Sequence, residues 1–268
     1  MLFFEAAEQG VAMEIGWRDS GPRPVGGDDR LALAQPFFAT ASAPCPYVPG
    51  RVERKLIVEL PDDGDAPAVY DHLSRVGFRR SHRFAYRPAC RSCAACVPVR
   101  IAVSRFAHSR STRRVWSVNR DLTGRLVAAQ AEPEHYQLFV AYQRSRHRTS
   151  EMAAMSFHDY RAMVEETPIR TAIAEFRDGT GALAAAVLVD RVDDGLSAVY
   201  SYFDPARRRQ SLGTWSILWM IEECRRRGLA HVYLGYWIAE SPKMAYKARF
   251  PALERLSAGG WIALAEAP

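Results

Sequence analysis

A mixed α+β fold in two folded units follows from three observations on this chain of 268 residues. Strand-like and helix-like periodicities interchange along the sequence. Turn punctuation at Pro61-Asp-Asp-Gly64, Gly77, Gly195 and Gly228 separates them. A tight cysteine run at residues 90–96 marks a smaller leading unit. The expected division is an amino-terminal extension over 1–30, a cysteine-containing α/β domain over 31–120 and a second domain over 121–268. Hydrophobic content of 48% and charged content of 25% are ordinary for a folded protein.

Asp19–Arg30, rich in Pro, Gly and Asp, reads as a flexible approach. Alternation of apolar and charged residues makes Arg51–Leu60 a strand, and Pro61-Asp-Asp-Gly64 its turn. Ala66–Val76 has helical spacing and stops at Gly77. Phe78–Tyr86 and Val97–Val103 read as strands on either side of the cysteines. Ser111–Asp121 is expected to be helical and Leu122–Gln130 a strand. Pro133–His147, with Tyr136, Phe139, Val140 and Gln143 at helical spacing, and Phe157–Glu166 are helices. Arg170–Arg177, Ala182–Val192 and Leu196–Phe203 are strands, the last two joined as a hairpin by Asp193-Asp-Gly195. Leu212–Arg227 is an amphipathic helix closed by Gly228. Ala230–Gly235 is a buried strand, Lys243–Arg249 a short helix and Gly260–Ala265 a terminal strand. From residue 122 the order is β-α-α-β-β-β-α-β-α-β, which resembles the acyl-transferase fold of the GCN5-related N-acetyltransferase type. That resemblance implies an acyl donor held beside the helix that starts near Gly213. A single glycine there makes a sparse anion cradle.

No apolar run reaches the roughly 18 residues of a membrane span. The opening Met1–Gly16 contains Glu5, Glu8 and Glu14 and lacks a basic start, unlike a secretory signal. A cytoplasmic location is the expectation. Net charge is +6, and all but three of the 36 basic residues are arginine. The arginines cluster at Arg79, Arg80 and Arg83, at Ser109–Arg114, at Arg144–Arg148, at Arg207–Arg209 and at Arg225–Arg227. Together they favour a polyanionic partner such as nucleic acid.

Two of the three lysines, Lys243 and Lys247, fall in Tyr233–Phe250, interleaved with aromatic residues. Lysine kept in so arginine-rich a chain points to a compact ammonium on a flexible stem. The rings offer stacking faces beside the cations. Cys90, Cys93 and Cys96 form a C-x-x-C-x-x-C run, with Cys45 as a remote fourth. This spacing fits an iron–sulfur ligand run, a four-thiolate zinc site, or a reduced turn without metal. Cys224 lies on an amphipathic helix and reads as core.

Cys45-Pro-Tyr-Val-Pro-Gly-Arg-Val-Glu-Arg54, Gly77-Phe-Arg-Arg-Ser81, Tyr86–Arg100 around the cysteines, Tyr200-Ser-Tyr-Phe-Asp-Pro205, Ser211-Leu-Gly-Thr214 and Tyr233–Phe250 form one ordered set. Together they resemble the arginyl-tRNA–protein transferase family, most of all its bacterial, leucine-transferring branch. The match runs from about Leu31 to Trp261. The resemblance implies transfer of an aminoacyl group from charged tRNA to the amino terminus of a protein that begins with Asp or Glu. In the bacterial branch the group is leucine, and the product is marked for degradation. It implies leucyl-tRNA and such proteins as partners and no cofactor for the chemistry. It also makes Cys45, Cys90, Cys93 and Cys96 candidates for a zinc ion or iron–sulfur cluster.

Such a reaction starts from an activated ester, so the enzyme must align an amine, stabilise an oxyanion and accept a proton. Asp204, beside Tyr200 and Tyr202, is the candidate for holding or deprotonating the amine; its plain alternative is a turn at Asp204-Pro205. Tyr236 and Tyr246 could bond the ester or stack on the terminal adenosine. Lys243, Lys247 and Arg249 could meet the acidic side chain or tRNA phosphates. Arg79 and Arg80 are alternatives for the acceptor carboxylate, which suits a bidentate guanidinium. The rivals are arginine as the transferred residue, an acyl-CoA N-acetyltransferase, and a metal- or redox-sensing RNA-binding module without catalysis.

Overall fold

Interleaved charged and apolar residues give short strands at the amino-terminal end of the computed structural model, which describes residues 36–148 and 150–264. The expected extension over 1–30 therefore lies outside the described residues. The first elements are β1 (Phe37–Ala39), β2 (Ala43–Pro44), β3 (Val52–Glu53) and β4 (Lys55–Glu59). Helix α1 (Ala66–Arg75) follows, with proline in its first turn, a position where no backbone donor is lost. Gly77 ends it with φ +88, a left-handed conformation natural to glycine. The expected single strand over 78–86 is instead a hairpin of β5 (Arg79–Ser81) and β6 (Phe84–Pro88), because His82 turns the chain at φ 52. These strands form a sheet in the order β1-β4-β6-β5, while β2 pairs with β3.

The second sheet draws on β7 (Val97–Ala102), β8 (Thr123–Ala128), β9 (Thr171–Arg177), β10 (Leu183–Val192), β11 (Gly195–Phe203), β12 (His231–Trp237), β13 (Leu253–Ser257) and β14 (Gly260–Ala263). Between them run α2 (Arg110–Val118), α3 (Pro133–Arg146), α4 (Phe157–Glu165) and α5 (Leu212–Arg226). Ser109 caps α2 by accepting from Thr112 N, and Ser156 and Asp159 close a capping box on α4. Gly228, at φ +68, closes α5. The sheet order is β14-β13-β7-β12-β11-β10-β9-β8. This is the mixed α+β architecture expected above. One strand crosses the expected boundary near residue 120: β7 lies inside the large sheet, antiparallel to β12 and β13. The expected helix over 243–249 is a 3₁₀ turn over Ala245–Arg249.

Alternation in β10 distributes the core. Ala185, Val187 and Val189 face a cluster with α5, whereas Ala186 and Leu188 face Phe139, Tyr160 and Val164 of α3 and α4. Helices therefore cover both faces. The small sheet docks through α1, whose Val69, Tyr70 and Leu73 cluster with Val192 and Tyr233 of the large sheet. A buried ion pair fixes that docking. Arg80 Nε and Nη2 donate to Asp190 Oδ2 and Oδ1 at 2.9 and 2.8 Å, with side-chain exposures of 1% and 0%. Thr171 Oγ1 donates to the same carboxylate at 2.9 Å.

No helix among the described residues is long and apolar enough to cross a membrane.

A candidate functional site where two strands part

Among the described residues the only parallel pair in the large sheet, β11 and β12, is in register for just three residues, Gly195–Ser197 against His231–Tyr233. Beyond that point β11 keeps pairing with β10 and β12 with β7, so the two strands separate. Their facing carbonyls would be stranded, and buried carbonyls need donors. Two cations supply them. Arg79 donates through Nη1 to Ser197 Oγ (3.0 Å) and through Nη2 to Ala198 O and to Val199 O (3.5 Å) on the β11 side. Lys247 Nζ donates to Leu234 O (2.7 Å) and Tyr236 O (2.6 Å) on the β12 side. Gly235, at φ +72, leaves room for the guanidinium, since a Cβ there would meet Arg79 Nε at 3.0 Å. Arg79 and Lys247 thus hold the opening apart.

Burial, with Arg79 adding repulsion, pushes the Lys247 ammonium down to about 7 from the ordinary lysine value. The unfolded chain keeps this proton to about pH 10 whereas the folded chain releases it above about 7, so the unfolded state binds more protons in between. Stability from this residue should therefore rise with pH across that window, by up to about 1.4 kcal/mol per pH unit. In Lys247→Met that contribution is absent. Urea unfolding of both proteins between pH 7 and 9.5 should give a difference that moves toward the unmodified protein as pH rises. A constant difference would contradict this account of Lys247.

At the carboxyl end of β11 aromatic side chains gather. Tyr142 of α3 packs edge-on to Phe203 (4.7 Å between centroids) and to His147 (5.5 Å). Arg146 lies 5.8 Å from the Phe203 ring. Gly213 fits against that ring, because a Cβ there would approach Phe203 Cε1 to 3.2 Å. Gln143, buried on α3, donates from Nε2 to the Tyr200 hydroxyl at 2.7 Å. The Tyr200 proton remains available to another acceptor. Burial and then Tyr142 push the Tyr200 phenol far above its ordinary value, so it stays a donor. The 238–250 segment reaches the same place. Lys243, after burial, helps to lower the His147 imidazole. Tyr246 keeps a ring edge in solvent, while burial and then Tyr142 raise its phenol to about 12.

Of the residues expected from sequence, Tyr200, Gly213, Lys243 and Tyr246 come together here. Arg79, Lys247 and Tyr236 lie at the parting itself, and Tyr236 donates its hydroxyl to Gly77 O (2.9 Å) and Tyr86 O (3.2 Å). These three hold protein backbone, which corrects the expectation that they meet substrate directly. Arg80 is committed to Asp190 and is 4% exposed, which removes it from the acceptor site. Tyr202 is 2% exposed and bonds the Tyr160 hydroxyl at 2.7 Å, a core role. Asp204 Oδ1 accepts from Ala206 N at 2.8 Å and Oδ2 from Arg207 Nε at 3.3 Å, so both oxygens serve the turn. Arg249 is exposed next to the buried Phe250. Tyr142, Gln143, His147 and Phe203 were missed. A glutamine on the apolar face of the 133–147 helix was their signal.

The cysteines lie elsewhere. Cys45, Cys90, Cys93 and Cys96 line a cavity of about 260 Å³ with Tyr47, Tyr86, Lys55 and Tyr236. Each of three thiols has a protein partner: Cys45 Sγ accepts from Val48 N (3.4 Å), Cys93 Sγ from Arg51 Nη1 (3.4 Å), and Cys90 Sγ approaches Arg54 O (3.7 Å). The Ala95 N–H and then Arg51 lower the Cys93 thiol, whereas burial and the neighbouring sulfurs push Cys96 up to about 11. Among the described residues no three His, Cys, Asp or Glu side chains are arranged to hold one metal ion. The four thiols share one cavity without such an arrangement, so nothing here supports the zinc or iron–sulfur site expected from the sequence.

Comparison with known proteins finds matches over most of the chain. The family described as arginine-tRNA-protein transferase matches through its N terminus over residues 43–114 and its C terminus over residues 134–257. An aspartate/glutamate leucyltransferase of Paramagnetospirillum magneticum is 54% identical over 87% of this chain and 96% of its own length. One of Rhodospirillum rubrum is 53% identical over 86% and 94%. Among solved structures, the C-terminal domain of a putative lysylphosphatidylglycerol synthetase from Agrobacterium fabrum aligns at 16% identity and TM-score 0.46, over 70% of this chain and 63% of that one.

Proposed function

We propose, from the premise that this chain belongs to the arginine-tRNA–protein transferase family and is an aminoacyltransferase, that it moves leucine from leucyl-tRNA to proteins beginning with Asp or Glu. The product, with leucine at its amino terminus, is marked for degradation. The geometry that supports this is the aromatic bay at the carboxyl end of β11, with an available Tyr200 hydroxyl inside it and exposed cations at its rim. The choice of leucine and of acidic acceptors rests on the relatives named above.

In the transfer, the acceptor α-amine, having lost one proton to solvent, attacks the ester carbonyl. The ester C–O bond to the terminal ribose breaks, an amide forms, and the ribose oxygen leaves as a hydroxyl after taking the second proton. Tyr200 donates to the carbonyl oxygen as charge builds there. Tyr142, Phe203 and Tyr246 offer stacking faces for the terminal adenine. Lys243 and His147 stand at the edge where the last phosphates arrive. Arg249 and Lys243 are the exposed cations left to meet the acidic side chain, now that Arg79, Arg80 and Lys247 have partners in the protein. The cysteine pocket takes no step in this scheme.

The test is direct. Incubated with a mixture of charged tRNAs, the protein should add a single leucine residue to a peptide that begins with Asp or Glu, read by mass, and none to the same peptide beginning with Ala. Addition of arginine alone would defeat the leucine assignment, and absence of any addition would defeat the transfer itself.

A further inference from the structure

Ion pairing sorts the arginine clusters into two kinds. Arg83 pairs with Glu59 and Asp62, Arg207 with Asp178 and Asp204, Arg225 with Glu222, and Arg226 and Arg227 with Glu223. Those arginines are neutralised by the protein's own carboxylates. A second group is not: Arg110, Arg113 and Arg114 on α2, Arg208 and Arg209 just ahead of α5, and Arg146 at the end of α3. All six are exposed, and among the described residues none has a carboxylate partner.

The elements that carry these six adjoin one another. Asn119, just after α2, donates from Nδ2 to Gln210 O at 2.7 Å, which ties α2 to the turn that carries Arg208 and Arg209. Trp116 of α2 stacks on Trp215 of α5 at 6.0 Å. Phe203 touches Arg146 on one side and the place of Gly213 on the other. The amino end of α5, which no side chain caps, sits amid these arginines and adds the positive end of its dipole. The surface runs directly into the aromatic bay at Phe203 and Tyr142.

Resting on the reaction proposed above, we infer that α2, the Arg208–Gln210 turn and the end of α3 seat the acceptor arm of the donor tRNA and lead its 3′ end over Phe203 into the bay. Exposed, unpaired guanidiniums suit phosphates. An A-form duplex hides its major-groove base edges in a deep, narrow groove, so such a surface would grip backbone and shape more than sequence. Elongated contact by many cations also accounts for arginine kept at exposed helix positions where the fold needs none of them.

The full-length protein carrying R110Q/R113Q/R114Q tests this, since glutamine keeps helix propensity. Binding of leucyl-tRNA is followed by fluorescence anisotropy between 50 and 200 mM KCl. Affinity at 100 mM should fall about 10- to 100-fold, and the slope of log affinity against log salt should become shallower by about 2 to 3, near 0.9 for each lost phosphate contact. R208Q/R209Q, placed in a turn rather than a helix, should lower the slope by about 2 and stands in should the α2 variant fold poorly. R161Q, on α4 across the sheet, should change neither quantity. Unchanged affinity and slope in both variants, with the unmodified protein binding tRNA and transferring leucine, overturns this surface alone. A raised acceptor-peptide KM with unchanged tRNA affinity overturns it too, and assigns the surface to the acidic acceptor. If the unmodified protein binds no tRNA, both the surface and the proposed reaction fall.

Discussion

Arg80→Met is expected to remove about 3–5 kcal/mol of folding stability, the cost of leaving a buried charge without its partner. Asp190 is wholly buried, and without the guanidinium its side chain keeps, among the described residues, the Thr171 hydroxyl. A domain of this kind has about 5–15 kcal/mol in total, so the variant should lie near the edge of folding. The loss should also have a location. Arg80 is on β5 of the small sheet and Asp190 on β10 of the large one. Hydrogen exchange should therefore rise first in α1, β5 and β6, where the small sheet detaches. Urea unfolding measures the total. Replacing both partners, as R80M/D190L, should recover a large part of it, because an apolar pair of similar volume asks for no desolvated charge. A single variant that loses under 1 kcal/mol would mean the two sheets are held by the α1 contacts and not by this pair.

That pair also marks the limit of what the sequence discloses. Arg79 and Arg80 are adjacent and chemically alike, and both read as candidates for the acceptor carboxylate. Strand alternation sends them to opposite faces. One meets Asp190 in the core, the other reaches the carbonyls of β11. The sequence does not say which face of β5 is buried, because the partners lie more than a hundred residues away. Lys247 is hidden for another reason: its acceptors, Leu234 and Tyr236, are near in sequence, but their carbonyls need a donor only because β11 and β12 separate. By contrast, α5 and the β10–β11 hairpin were legible almost to the residue, since Gly228 and Asp193-Asp-Gly195 act locally. Strands of two or three residues, β1, β2 and β3, carry too short a pattern to read, and β7 was assigned to the wrong side of the expected boundary because pairing with β12 is long-range. Asp204-Pro205 behaved as its local chemistry dictates, forming a turn.

Removing the Tyr200 hydroxyl should have the largest effect on transfer. Tyr200→Phe keeps the ring and its packing 6.1 Å from Phe139. It deletes one donor and leaves Gln143 without an acceptor. Loss of one oxyanion donor costs about 10²–10³ in kcat, so kcat for leucine transfer should fall about 100-fold while tRNA affinity and its salt slope hold. The pH profile separates this role from that of a base. Burial, and Tyr142 after it, keep the phenol protonated well past its ordinary range. It can therefore donate at every pH where the protein works, and it contributes no ionisation to the rate. The rising limb should instead follow deprotonation of the acceptor α-amine, near pH 7.7–8.0 for an ordinary terminus. Y200F should lie below the unmodified protein by the same factor at pH 6.5, 7.5 and 8.5. A deficit that narrows or widens with pH would make Tyr200 a proton carrier. A raised KM for leucyl-tRNA at unchanged kcat would reduce it to a stacking face, and the oxyanion would then need a donor from elsewhere in the bay.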